Sequence, residues 1–225
     1  MKISKCSDVV IQLKKLSRPE NLAGMARFGI DTSKALAISI PTLRKMARKY
    51  KKQHELALAL WQTGIHEARV LATMIDDPAA VTDKQMESWV SDFYSWDLCD
   101  QCCSNLFDKT PFARRKAFEW SKRTEEYVKR AGFTLMATLS VHDKESSDKV
   151  FIRFLKPIKR EANDGRNFVK KAVNWALRQI GKRNTSLKEH AIRTAEEIRK
   201  LNTPSARWIA SDALREFQNH KFRRA

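Results

Sequence analysis

The sequence has little of what interrupts helices and nothing that looks able to cross a membrane. Its 225 residues include only six glycines and six prolines, and no segment shows a sustained alternation of apolar and polar residues. No apolar run approaches the roughly 18 residues that a membrane-spanning helix needs, so we expect no membrane association. The opening residues, which include Lys2 and Lys5, do not resemble a signal peptide. A cytoplasmic protein is therefore expected.

Cysteine is also scarce, and its four positions are Cys6, Cys99, Cys102 and Cys103. The last three form a C-x-x-C-C cluster, which raises the question of a zinc or redox site. No second cysteine pair and no His-x-x-x-His partner follows at zinc-site spacing, and the cluster falls within one predicted helix. We therefore predict small buried side chains in a reducing compartment, with no metal and no cofactor.

Acidic residues are outnumbered, with 26 Asp and Glu against 44 Lys and Arg and a net charge of +18. The excess is uneven: residues 1–52 carry +10, residues 53–108 carry −8, and residues 109–225 carry +16. Solubility alone seldom requires so large an imbalance. Two basic arms around an acidic centre favour a phosphate backbone as the partner.

The spacing of apolar residues along the sequence shows mainly helical periodicity. The predicted helices span residues 7–16, 20–29, 41–51, 54–62, 66–75, 83–93, 96–107, 111–120, 124–140, 146–157, 166–181, 186–201 and 205–219. Pro41 at a first-turn position and two capping boxes, Thr82 with Gln85 and Ser186 with Glu189, support individual helix starts. The pattern predicts an all-α protein, and we expect a single domain over residues 1–225.

A weak internal repeat relates three of these helices. The segments around Arg69, Arg130 and Lys171 align with one another, and the wider first gap leaves room for one more unit around Trp96. Helix pairs that recur at about 40 residues are typical of HEAT and armadillo repeats. We therefore predict an α-solenoid of antiparallel helix pairs, a right-handed curved array with these three basic residues on its concave, DNA-binding side.

Three short motifs combine aromatic, acidic and basic residues at helical spacings. Their key residues are Trp96 and Asp100, then Arg130, then Lys171, Trp175 and Arg178. Trp96 and Asp100 lie four residues apart and share one helix face. Steps of four and three place the last three motif residues on one face in the same way. Aromatic rings beside cations and one carboxylate indicate a surface that binds nucleic acid and acts on it.

Taken together, the motifs resemble those of the AlkD-type DNA alkylation-repair glycosylases, a bacterial family of HEAT-like repeats. The patterns S-W-D-x-x-D, [VL]-x-R-A and F-x-x-K-A-[IV]-x-W-x-L-R occur in the family's order, and the match continues upstream through Met25-Ala26-Arg27. It covers roughly residues 20–217. The resemblance implies a hydrolase of base excision repair that removes positively charged N3- or N7-alkylated purines from duplex DNA, with the lesion still stacked. We expect it to act as a monomer.

The resemblance also implies roles for individual residues. Trp96 and Trp175 match the two aromatic residues that flank the damaged nucleotide, and Asp100 matches the carboxylate placed at the anomeric carbon. Arg130 matches an arginine that faces the DNA, where phosphate contact is the implied role.

Position alone extends the set of DNA-binding residues. Lys171 and Arg178 share the face of Trp175, and Arg69 stands in the repeat register of Arg130. We therefore predict that these three basic side chains also contact phosphates.

Elementary chemistry indicates that a single carboxylate is enough for this reaction. An N3- or N7-alkylated purine already carries positive charge, so it leaves without being protonated and needs no acid of raised pKa. The enzyme needs groups that stabilise an oxocarbenium-like sugar, and one carboxylate with two aromatic faces supplies them. The same carboxylate can orient the attacking water.

Two other functions stay open. The chain could be a non-catalytic HEAT-repeat protein that binds damaged or branched DNA through the same basic surface, or a scaffold for an acidic protein. The combination of Trp96, Asp100 and Trp175 favours the enzyme, because neither alternative requires a carboxylate between tryptophans.

Other aromatic and titratable residues receive structural interpretations. The tryptophans predicted to lie in the core are Trp61, Trp89, Trp120 and Trp208. Asp97 is interpreted as a charge favoured at a helix N-terminus. The histidines, which have no Ser or Cys partner at a recognisable spacing, are His54, His66, His142, His190 and His220.

Overall fold

The computed structural model describes residues 2–219, with side chains from residue 5 onward, so His220 lies outside the described residues. Within that range the chain forms thirteen α-helices and no strand. They are α1 (Lys2–Lys15), α2 (Leu22–Arg27), α3 (Ile40–Ala47), α4 (His54–Gln62), α5 (His66–Ile75), α6 (Asp83–Ser91), α7 (Trp96–Asn105), α8 (Ala113–Trp120), α9 (Glu126–His142), α10 (Asp148–Arg160), α11 (Asn167–Gly181), α12 (Thr185–Lys200) and α13 (Pro204–Asn219). Each helix predicted from the sequence is therefore confirmed. None of the described helices is long and apolar enough to cross a bilayer.

The helices group into two compact units, Met1–Thr110 and Pro111–Ala225. In the first unit α4 packs on α5, and α5 also contacts α3 and α7. In the second unit α8 pairs with α9 and α12 with α13, while α9, α11 and α13 pack on one another in order. Stacked second helices of successive pairs are the arrangement of HEAT-like repeats. The single domain expected over residues 1–225 stays a prediction.

The sequence repeat corresponds to the second helices of these pairs. Arg69 is the fourth residue of α5, and Arg130 and Lys171 are the fifth residues of α9 and α11. Asp100 is the fifth residue of α7, so a carboxylate stands where the other helices carry a cation. The placement of these side chains along one curved groove stays a prediction.

The core of the first unit is built on aromatic and small side chains. Trp61 and Trp89 stack with their ring centroids 3.9 Å apart and their planes within 4° of parallel. Cys99, Cys102 and Cys103 are fully buried, as expected. Burial raises the pKa of the Cys102 and Cys103 thiols well above the ordinary value, which keeps them protonated and unreactive.

One predicted core residue is on the surface. Trp120 is buried in the second unit, but Trp208 is 39% exposed, so its assignment to the core was wrong. The buried stripe of α13 runs through Ala206, Ile209, Ala210 and Ala213 at steps of three and four. Trp208 lies off that stripe, and the spacing of the apolar residues along α13 indicates its exposed position.

Several helix ends also differ from the sequence expectation. The α1 helix begins at Lys2 rather than at residue 7, and α10 continues through Pro157 to Arg160 because Phe154, Leu155 and Ile158 keep its apolar face buried. Thr82 caps α6 as predicted, by accepting from the backbone N–H of Gln85. The α12 cap is Asn184 instead of Ser186, and its side-chain oxygen accepts from Leu187 at 2.8 Å.

Gly132 marks a close approach of two helices in the second unit. A Cβ built there would lie 2.9 Å from the backbone Cα of Ser121, at the end of α8, with the Ser121 nitrogen closer still. Backbone atoms cannot move aside as a flexible side chain can. We expect Gly132→Ala to lower the free energy of unfolding by about 1–3 kcal/mol, even though alanine favours the helix itself.

Urea denaturation of Gly132→Ala beside Gly165→Ala measures this. Gly165 belongs to the same unit, and a Cβ there would meet nothing within 4 Å. Equal unfolding midpoints for the two variants would show that the α8–α9 approach tolerates a methyl group.

Candidate functional site

The α7 helix begins with the first candidate site residues. Trp96 is its first residue, and Asp100 follows one turn later on the same face; both side chains are partly exposed. The indole Nε1 of Trp96 donates to the backbone carbonyl of Phe28 at 2.9 Å, which fixes the orientation of the ring. A partly exposed indole and a carboxylate thus stand together at the start of one helix.

A buried charge pair lies beneath this helix start. The Nε2 atom of His66 is 2.9 Å from Oδ2 of Asp97, and Nδ1 of His66 is 3.0 Å from the Tyr94 hydroxyl. The Ser95 hydroxyl donates to the other oxygen of Asp97. Asp97 is therefore more than the helix-terminal charge inferred from its position, because a buried histidine holds it.

The pKa values of the pair are shifted in opposite directions. Burial works against the charge on Asp97, but the hydrogen bond and positive charge of His66, with the Ser95 hydroxyl, lower the pKa of this carboxyl. Burial also opposes protonation of His66, yet the hydrogen bond and charge of Asp97, with the charge of Glu67, raise the pKa of the imidazole. Both shifts favour the imidazolium–carboxylate form of the pair, in which the charge of His66 compensates that of Asp97 one turn before Asp100.

The neighbouring Glu67 anchors the chain segment between α2 and α3. Its buried carboxylate accepts from the backbone N–H groups of Leu36 at 2.7 Å and Ile38 at 3.3 Å. The backbone N–H of His66 donates to the Lys34 carbonyl at 2.9 Å. A cavity of about 190 Å³ borders His66, Glu67 and Asp97, with otherwise mostly apolar walls. These contacts hold the end of the segment nearest α3, while the Trp96 hydrogen bond holds the Phe28 carbonyl near α2.

The second unit carries the other predicted aromatic residue. Trp175 and Arg178 of α11 are partly exposed and Lys171 is exposed. Nη1 of Arg178 donates to Glu216, and Nε lies 3.7 Å from Asp212. Lys171 has no ion pair among the described residues, so its ammonium group is the more available of the two cations.

The predicted arginines of α9 and α5 are engaged inside their units. Arg130 is 5% exposed and donates through Nη1 to the Phe168 carbonyl at 2.6 Å. Arg69 donates to the Trp61 and Asp92 carbonyls at 3.2 Å and lies 3.3 Å from the Asp92 carboxylate. A phosphate would have to share or replace these partners, and the roles predicted for both arginines stay predictions.

The structure thus groups the predicted residues by unit. Trp96, Asp100 and Arg69 belong to the first unit, and the Lys171 face of α11 and Arg130 belong to the second. In the described part of the chain, no group of three or more His, Cys, Asp or Glu side chains is arranged to hold a metal ion.

Comparison with known proteins decides the family. A family model described as DNA alkylation repair enzyme matches residues 9–217. The chain belongs to this family. The match confirms the family inferred from the three motifs and covers nearly all of the described residues.

A solved structure with a TM-score above 0.5 supports the fold. A protein from a family related to the HEAT-like repeat DNA glycosylases, with affinity for branched DNA structures, aligns with a TM-score of 0.77 at 20% identity. The alignment covers 97% of this chain and 98% of that one. A designed armadillo repeat protein in complex with a (KR)4 peptide aligns at a TM-score of 0.45 and 13% identity, over 94% and 92% of the two chains. No curated protein matches the sequence. The predicted all-α HEAT-like fold is confirmed.

Two features of this family member were missed in the sequence. The His66–Asp97 pair joins residues 31 positions apart, and no local spacing announces it. The exposed Trp208 ring lies 5.0 Å from the Lys170 ammonium group, so α11 and α13 together present a cation beside an aromatic ring at the surface. The tryptophan's position off the buried stripe of its helix was the available signal.

The charge pair makes the stability of the first unit depend on pH. The raised pKa of His66 stabilises the fold below the ordinary value of 6.5, and this stabilisation is lost as pH rises through the folded value. The lowered pKa of Asp97 stabilises the fold above 3.8, and that contribution is lost as pH falls through its folded value. We expect His66→Gln to be most destabilising between about pH 4 and 6.5.

Urea denaturation of the wild-type protein and of His66→Gln from pH 3.5 to 9 measures the difference. His190→Gln is the control, because that side chain makes no contact of this kind. Subtracting the wild-type curve removes the contribution of the His54–Asp76 pair, which all three proteins share. A constant difference across this range would show that the buried pair is not charged.

Proposed function

We propose that this protein is a DNA glycosylase that excises positively charged N3- or N7-alkylated purines from duplex DNA. The observation that carries the proposal is the start of α7, where an oriented indole and a carboxylate share one partly exposed face. Membership of the DNA alkylation repair enzyme family supports it.

In the proposed reaction Asp100 stabilises the sugar as the glycosidic bond breaks. The cationic base takes the bonding electrons and leaves neutral, so the positive charge moves onto the anomeric carbon and ring oxygen. The carboxylate of Asp100 faces that charge and orients the water that attacks the same carbon. When His66 is protonated, its charge compensates the neighbouring Asp97, and the negative potential at the helix start is then centred on Asp100.

The aromatic residues share the charge stabilisation. Trp96 lies one turn before Asp100 on the same face of α7, and its hydrogen bond to the Phe28 carbonyl fixes the ring before substrate binds, so no ordering is required later. Trp175 is assigned to the same damaged nucleotide on the strength of the motif match. The two rings belong to different helices, since Trp96 lies in α7 of the first unit and Trp175 in α11 of the second.

DNA binding is proposed to draw on the basic second unit. Residues 111–225 carry a net charge of +15, against +3 for residues 1–110. Lys171 is the best placed of the predicted phosphate ligands, since Arg178 is already paired with Glu216. Contacts to phosphates hold the duplex without reading its sequence, which suits a lesion that arises anywhere.

A second candidate function is binding of branched DNA without excision. The aligned relative at a TM-score of 0.77 belongs to a group with affinity for branched DNA structures. A protein of that kind would need the basic surface but neither the oriented Trp96 nor Asp100.

The experiment that separates the candidates uses methylated duplex DNA. The purified protein is incubated with the DNA, and the released bases are identified by chromatography. We expect 7-methylguanine and 3-methyladenine, and no uracil from a uracil-containing duplex, because nothing at the site is proposed to protonate a neutral leaving group. Tight binding to a four-way junction with no released base would favour the second candidate.

A further inference from the structure

We propose that a basic cleft in the first unit is an additional binding site for the phosphate backbone of nucleic acid, separate from the residues assigned above. The proposal rests on the proposed function for its ligand. The cleft has a volume of about 230 Å³. Its lining residues are Arg44, Ala47, Arg48, Lys51, Met74 and Asn105.

The charged wall of this cleft comes from one short stretch of chain. Arg44 lies in α3, Arg48 is the C-cap residue of that helix, and Lys51 follows in the next turn. The three are spaced by four and three residues, and all three side chains are exposed. None of them forms a hydrogen bond or an ion pair with another described residue, and no acidic residue lines the cleft.

Helix capping does not account for these cations. Basic side chains often gather where helices end, because the terminal carbonyl groups carry partial negative charge. Here the last carbonyls have other partners. Those of α3 accept from the N–H groups of Lys49 and Tyr50, and that of Ile75 in α5 accepts from Gln53 at 2.8 Å.

The end of α7 is satisfied as well. Lys109 places its ammonium group against the carbonyls of Ser104 and Asn105. The charges of the cleft are therefore available to an external anion.

The geometry favours a chain of phosphates over a single small anion. The cations lie along the wall of an open cleft rather than around a closed pocket, and two guanidinium groups can each hold two phosphate oxygens. The other lining residues, Ala47, Met74 and Asn105, carry no charge, and the Asn105 amide already donates to Thr73 and Gln101. A row of phosphates can meet such cations one after another, which is how backbone contacts set the register of a bound duplex.

The test compares two triple variants of equal charge. Arg44→Gln/Arg48→Gln/Lys51→Gln removes the cations of the cleft. The matched control, Lys45→Gln/Lys49→Gln/Lys52→Gln, removes three exposed charges from the same stretch that do not line it. Dissociation constants for a 20-base-pair duplex are measured from 50 to 300 mM NaCl, with thermal unfolding as the check on folding.

We expect the magnitude of the log–log salt slope to fall by about 2 for the cleft variant, since two phosphate contacts contribute roughly 0.9 each. The control variant should change the slope by less than about 1.

Equal slopes and affinities for the two folded variants would overturn the inference while leaving the proposed function intact. A cleft variant that loses binding to polyglutamate but keeps the wild-type slope on DNA would overturn it in favour of an acidic protein. Failure of the unmodified protein to bind duplex DNA at all would overturn the proposed function itself.

Discussion

Asp100→Asn is expected to slow release of 7-methylguanine by about 100- to 1,000-fold, comparable to loss of one preorganised electrostatic group. Asparagine keeps the shape of the side chain but removes its negative charge, so the loss falls on the oxocarbenium-like transition state. Ground-state binding should be intact or improved, because a carboxylate repels the DNA backbone.

Trp96→Ala and Trp175→Ala should slow excision less, by about 1–2 kcal/mol each in activation free energy, since each ring supplies only part of the stabilisation.

Single-turnover excision and duplex affinity, measured on the same proteins, separate the two effects. Asp8→Asn is the charge-matched control, because Asp8 is an exposed residue of α1 in the same unit. The control should behave as wild type in both measurements. An Asp100→Asn protein that releases 7-methylguanine at the wild-type rate would contradict the role assigned to this carboxylate.

Duplex affinity should fall about 250- to 1,000-fold between 50 and 200 mM salt, which is a log–log slope near −4 to −5 for four to six neutralised phosphates. The net charge of +18, concentrated in residues 111–225, is the reason for so steep a dependence. Since counterion release is independent of sequence, duplexes of different composition should give the same slope.

Fluorescence anisotropy of an undamaged labelled duplex across this salt range gives the slope directly. A damaged duplex serves as the comparison and should bind more tightly with a similar slope. A slope near zero would mean that the positive charge of the second unit serves a partner other than DNA.

The fold could be predicted almost completely from the sequence, because helical periodicity and the repeat are local signals. The register of Arg69, Arg130 and Lys171 corresponds to the second helices of three of the pairs, α5, α9 and α11. Helix ends were less certain. The α12 cap was misplaced by two residues because both Asn184 and Ser186 can cap a helix, and only the accepted hydrogen bond from Leu187 distinguishes them.

The candidate site was only partly visible in the sequence. Spacing placed Trp96 and Asp100 on one face of α7, which requires nothing beyond the helical repeat. Spacing could not show that His66 neutralises Asp97, because that contact brings together the starts of two different helices. Nor could it show that the guanidinium group of Arg130 is buried against a backbone carbonyl, so that a residue interpreted as a surface ligand also supports the fold.

The most direct measurement is single-turnover excision from a synthetic duplex that carries one N7-methylguanine, with the unmodified protein in excess. The proposed function predicts release of the free base, leaving an abasic strand that alkali cleaves, while an otherwise identical duplex with uracil at that position stays intact. If the N7-methylguanine duplex also stays intact under conditions where the protein is bound to it, the protein is not a glycosylase for cationic purines.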